Sequence, residues 1–110
     1  MEIISWQDFE KVELRVGTIV KAETADTKKP AYRLEVDLGE LGIKKSSAQI
    51  TKLYKREDLI GKQVICVCNF PEKQVGNFIS EVLVTGFVLD NEEVVLAVPE
   101  RKVENGKKLA

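Results

Sequence analysis

Histidine is absent from this chain, which removes Ser–His and Cys–His nucleophile activation and most zinc chemistry. Cysteine occurs only at Cys66 and Cys68. With no third or fourth ligand to join them, the two read as small buried hydrophobes, unbridged, and not as a metal or redox pair. A glycine-rich phosphate loop is missing too, because Gly39, Gly42, Gly61, Gly76 and Gly86 stand singly between strand-like runs. Glu57–Asp58 and Glu92–Glu93 are adjacent acids in polar surroundings and read as solvated turns rather than acid–base pairs. The chain is therefore not expected to be an enzyme. It should hold no catalytic residue, metal, cofactor or small-molecule substrate.

Long hydrophobic runs are also lacking. Uncharged apolar stretches such as Val64 to Phe70 fall far short of the roughly 20 residues that cross a bilayer. Met1–Trp6 has neither the basic region nor the small-residue cleavage site of a secretory signal. The expectation is a cytoplasmic protein without membrane insertion. Its 110 residues, 44% hydrophobic and 32% charged, suit one globular domain spanning 1–110.

What is present is mostly strand. Ser5 precedes Trp6-Gln7-Asp8-Phe9 as an N-cap with Asp8 three residues on, predicting a short N-terminal helix. From Glu13 to Ala22 the residues alternate, with Gly17 suggesting a bulge or sharp bend. A second strand runs from Tyr32 to Leu38, with Tyr32, Leu34, Val36 and Leu38 on one face and Arg33, Glu35 and Asp37 on the other. The third, Ile43 to Ile50, has few large apolar residues and reads as solvent- or ligand-facing. Residues 51–60 have helical spacing and stop at Gly61. Strands resume at 63–70, 79–88 and 94–98, and Asn105–Gly106 marks a late turn. This order fits an all-β, five-stranded Greek-key OB-fold barrel with a short helix between strands 3 and 4. Spacing alone ranks that barrel only slightly above other small barrels or sandwiches.

Three stretches then carry a resemblance: Glu13-Leu14-Arg15-Val16-Gly17-Thr18-Ile19-Val20, Cys68-Asn69-Phe70 and Ser80-Glu81-Val82-Leu83-Val84. Together they resemble the tRNA-binding domain family, an OB-fold module that occurs free-standing and fused to methionyl-tRNA synthetases. Gly42 to Thr51, with Asn69-Phe70-Pro71, looks closer still to the branch of the export-related chaperone CsaA. The resemblance implies an OB fold, a homodimer, and tRNA or preprotein polypeptide as partner. Two departures suit the chaperone branch. Pro30 stands where many RNA-binding members carry lysine, and Leu83 where many carry methionine.

Charge bears on the partner. Seventeen basic residues meet eighteen acidic ones, which is not the basic balance of a dedicated nucleic-acid binder. Distribution is less even, because Lys44, Lys45, Lys52, Lys55, Arg56 and Lys62 cluster around the third strand and the helix. Candidate contacts for RNA or peptide are Lys44, Lys45, Ser46, Ser47, Gln49, Lys52, Asn69, Lys73, Phe78, Ser80 and Leu83. Lysines suit phosphates, while Asn69 and Ser80 offer polar groups to a base or backbone. Phe78, following Gly76–Asn77 in an expected loop, is a candidate exposed aromatic for stacking. With Leu83 it would instead form an apolar pocket for unfolded polypeptide. Arg15 is expected to pair with Glu81 or to meet ligand. Apolar residues near both ends, including Ile3, Ile4, Trp6, Phe9, Val98 and Leu109, are expected to bury against a twin.

Overall fold

Alternation in the second strand sets the inside of the molecule. Tyr32, Leu34, Val36 and Leu38 are all buried, the last three completely. The computed structural model describes residues 1–25 and 27–110. Helix α1 (Trp6–Glu10) precedes β1 (Leu14–Ala25), β2 (Ala31–Asp37) and β3 (Ile43–Ala48). The one-turn helix α2 (Arg56–Leu59) leads to β4 (Gln63–Val67). Short strands follow: β5 (Lys73–Val75), β6 (Phe78–Ser80), β7 (Leu83–Val84), β8 (Gly86–Val88) and β9 (Val94–Leu96).

Five strands form one antiparallel sheet in the order β3-β2-β1-β4-β7. Ile19, Leu34, Ala48, Val64, Cys66 and Val84, drawn from all five, share a single core with Leu59 and Leu96. The sheet curls around that core. Its two edges meet at a seam where the backbone N–H of Glu81 donates to Lys45 O at 2.7 Å and that of Val82 to the same oxygen at 3.2 Å.

Several sequence expectations are corrected. The irregularity in β1 lies between Ile19 and Lys21, not at Gly17. Gly17 instead permits close strand packing, since a Cβ there would stand 2.6 Å from Val36 Cγ1 and 2.8 Å from Asp37 O. Residues 51–60 contribute one helical turn rather than three. The chain is pinned at Tyr54, whose carbonyl accepts from Tyr32 Oη at 2.8 Å and whose hydroxyl accepts from Leu96 N at 3.0 Å. Residues 79–88 are not one strand either: β6 pairs with β5, β7 with β4, and β8 with β9. Gly86 allows the last close approach, its missing Cβ lying 2.6 Å from Val94 Cγ1.

The termini follow the sequence more closely. Ser5 Oγ accepts from Asp8 N at 3.0 Å and Asp8 Oδ2 from Ser5 N at 3.3 Å, a capping box. The C-terminal chain returns to β1, with Gly106 N donating to Val16 O at 2.7 Å and Leu109 N to Leu14 O at 2.9 Å. Asn105–Gly106 forms the expected turn. Cys66 and Cys68 are free thiols. Burial pushes Cys66 up to about 12 and raises Cys68 as well, although Arg15 opposes the shift at Cys68. No helix among the described residues is long and apolar enough to cross a membrane.

Candidate functional site

Pairing between β2 and β3 sets Arg33 against Ser47, Glu35 against Lys45 and Asp37 against Ile43. These residues alternate with the buried ones and so share the outer face. The β5–β6 hairpin lies beside them, closed at Gly76 (φ +64) and Asn77. That turn needs glycine because its backbone is left-handed.

Four side chains converge where hairpin and sheet meet. Arg33 Nη2 donates to Asn77 Oδ1 at 2.8 Å, and its guanidinium carbon stands 5.2 Å from the Phe78 ring centre. Lys45 Nζ lies 5.7 Å from the same ring. Both separations fall within cation–π range. Glu35 does not neutralise Lys45, because its carboxylate turns to Lys21 at 3.6 Å. Among the described residues, neither Lys45 nor Lys73 has a carboxylate at ion-pairing distance. The result is a cationic, aromatic-floored patch on a chain of net charge −1.

The remaining sequence candidates scatter. Lys44 and Lys45 point to opposite faces, as neighbours on a strand must, and Lys44 is half-buried. Ser47 lies on the outer face, but its N–H is given to Ser80 Oγ at 3.1 Å. Ser80 and Glu81 thus hold the seam, since Glu81 Oε1 also accepts from Lys45 N at 3.0 Å. Asn69 joins two segments, accepting from Glu13 N at 2.9 Å and donating to Lys11 O at 2.6 Å. Lys52 Nζ donates to Asn91 O at 2.8 Å, beside another loop. Gln49 and Lys73 are exposed, and Leu83 is 47% exposed on β7.

Three expectations about single residues are corrected. Phe78 is half-buried within β6, not an exposed loop aromatic. Arg15 pairs with Glu13, not Glu81, and donates to Gly106 O at 2.9 Å. The hydrogen bond from Arg15 holds the Glu13 carboxyl below its ordinary range, partial burial opposing it and Lys108 assisting. Ser46 faces inward and is only 1% exposed. Arg33 and Asn77 were not among the candidates. Arg33 was signalled by its place on the polar side of the second strand, and Asn77 by nothing beyond its turn.

Among the described residues, Ser46 Oγ has no hydrogen-bond partner. A buried hydroxyl without one carries a desolvation cost of roughly 1–3 kcal/mol. Ser46→Ala is therefore expected to raise the urea midpoint by an amount worth about 1 kcal/mol, after a small cavity cost. A lowered midpoint would mean that a buried water satisfies the hydroxyl.

A family model described as a putative tRNA binding domain matches residues 14–108. Methionine–tRNA ligase of Leptospira interrogans is 38% identical over 96% of this chain, which spans only 15% of that protein. The crystal structure of chaperone CsaA from Bacillus anthracis is 49% identical with a TM-score of 0.95, covering 99% of this chain and 100% of its own. That of the CsaA chaperone protein from Picrophilus torridus is 45% identical with a TM-score of 0.91, covering 98% and 100%.

Proposed function

The chain belongs to the putative tRNA binding domain family, and on that premise we propose that it is a non-catalytic OB-fold protein that binds tRNA. The binding face is the outside of β2 and β3 with the β5–β6 hairpin. The observation that carries this reading is the convergence of Arg33, Lys45 and Asn77 on Phe78. OB folds bind oligonucleotides through strands 2 and 3 and the loop between strands 4 and 5. Here β7 takes the place of the fifth strand, the hairpin is that loop, and the seam at residues 80–82 closes the barrel. Lys45, Lys73 and Arg33 meet phosphates, while Ser47 and Asn77 position the backbone. Phe78 offers its ring to a base for stacking.

A second reading has its own support. The CsaA structures match this chain end to end at 49% and 45% identity, whereas the chain spans about 15% of the curated ligases it matches. In that reading the same face captures unfolded or export-bound polypeptide, with exposed Leu83 and the Phe78 ring as apolar anchors. Either way the protein works in the cytoplasm as a homodimer that covers Ile3, Ile4 and Trp6, all exposed in the single chain. Pairing doubles the face and raises avidity.

Filter binding of total tRNA at several salt concentrations decides between the two. Each neutralised phosphate adds roughly 0.7–0.9 to the slope of log affinity against log salt. Saturable binding with a slope magnitude above about 2 is expected. Salt-insensitive binding of an unfolded polypeptide, with no retention of tRNA, would replace RNA by protein as the ligand.

A further inference from the structure

Another groove lies on elements that the β2–β3 face does not use, between the start of β4 and the chain after β9. We propose that it is a second docking point for RNA, taking the sugar–phosphate backbone. This rests on the reading of the chain as an RNA binder.

The groove encloses about 460 Å³. Lys62 and Gln63 line it from one side, and Val98, Pro99, Arg101 and Lys102 from the other. Three cations therefore face one space on a molecule that is close to neutral overall. Among the described residues, Lys62 and Lys102 have no carboxylate at ion-pairing distance. Arg101 is paired with its neighbour Glu100. Both side chains are largely exposed, so that pair is weak and a phosphate can take the guanidinium at little cost.

The lining also distinguishes a phosphodiester chain from a small anion. Val98, 49% exposed in the single chain, and Pro99 form an apolar strip among the cations, so that at Val98 the groove takes the place of the twin contact the sequence suggested. A ribose can rest on that strip while the phosphates beside it meet Lys62 and Lys102. A free phosphate would use the charges and leave the strip bare.

The groove is also held in shape before any ligand arrives. Gln63 Oε1 accepts from Val103 N at 2.9 Å. Asn105 Oδ1 accepts from Gln63 Nε2 at 3.0 Å and from Thr18 Oγ1 at 2.8 Å. This amide network ties β1, β4 and the C-terminal chain together beneath the groove. Lys62 Nζ sits 5.9 Å from the Tyr54 ring centre, which limits the lysine's wandering. Gly61 forms the rim with φ +88 and open space where a Cβ would stand. A preformed cationic wall loses less order on binding than loose surface lysines do.

The test is an NMR titration of the labelled full chain with a short RNA hairpin and, separately, with inorganic phosphate at matched ionic strength. The hairpin is expected to shift the amides of Gly61, Gln63 and Lys102 together with those of β2 and β3. Phosphate is expected to shift the groove amides far less. The Lys62→Glu/Lys102→Glu variant should bind the hairpin about tenfold more weakly at 0.1 M salt, with a slope shallower by about 1–2. Lys62→Arg/Lys102→Arg should restore binding, and unchanged Gln63 and Asn105 side-chain signals will show the fold intact. Shifts confined to β2–β3, with the reversal variant binding normally, overturn the groove and leave the proposed function standing. Equal shifts with phosphate make the groove a small-anion site and overturn the RNA assignment. No binding of the hairpin anywhere overturns both readings.

Discussion

The Gly17→Val variant is expected to lose about 3 kcal/mol or more of stability, read as a lower urea midpoint at unchanged slope. Strand β1 runs between β2 and β4, and Gly17 sits opposite Val64. A side chain there would place its first carbon 2.6 Å from Val36 Cγ1, 2.7 Å from Leu38 Cδ2 and 2.8 Å from Asp37 O. Val36 and Leu38 are fully buried and have nowhere to retreat. The carbonyl belongs to β2 itself, so relief would require that strand to move away from β1. Overpacking of this kind costs about 1–3 kcal/mol where side chains can adjust, and more where backbone must shift. A domain of this size has roughly 5–15 kcal/mol in total, so the variant should be a poor folder at 37 °C. A midpoint equivalent to within about 0.5 kcal/mol of the parent would mean that the packing of β1 against β2 does not depend on this close approach.

That same residue shows where sequence reading reached its limit. A glycine inside an alternating run announces something special about the backbone. Whether it marks a bulge or close packing depends on which strands flank it, and those are distant in sequence. The alternation of Tyr32, Leu34, Val36 and Leu38 was legible because a half-buried strand writes its two faces with a period of 2. The box formed by Ser5 and Asp8 was legible because both partners lie within one turn. Residues 79–88 misled for the opposite reason. Their apolar run is nearly continuous, but it is shared among pairings with β5, β4 and β9, and the breaks fall at polar residues a single strand also tolerates.

The proposed binding face was legible in part. Lys45, Ser47, Lys73 and Phe78 fall on or beside one surface, whereas Ser46 lies inside and Lys44 turns away. Adjacent strand residues alternate, so a run of four polar residues from Lys44 to Ser47 divides between two faces. The seam was not legible at all. Ser80 meets Ser47, and Glu81 meets Lys45, across more than thirty residues of chain. Nothing local distinguishes a serine that binds a ligand from one that ties two distant segments together.

The seam also makes the decisive binding experiment feasible. In Arg33→Glu/Lys45→Glu, tRNA affinity at 0.1 M salt is expected to fall about 100-fold, and the salt slope to become shallower by about 2. Lys45 is placed by its backbone, whose N–H goes to Glu81 Oε1 at 3.0 Å and whose carbonyl receives the N–H of Glu81 at 2.7 Å. Its ammonium carries no structural ion pair among the described residues. Arg33 gives up one hydrogen bond, to the exposed Asn77. Charge reversal should therefore leave the fold intact while turning two attractions into repulsions. Phe78→Leu separates the remaining contribution, because it keeps bulk and charge but removes the aromatic ring. It should weaken tRNA several-fold with the salt slope unchanged, since base–aromatic stacking is worth about 1–3 kcal/mol. If the double reversal binds tRNA within threefold of the parent, the outer face of β2 and β3 is not where RNA sits.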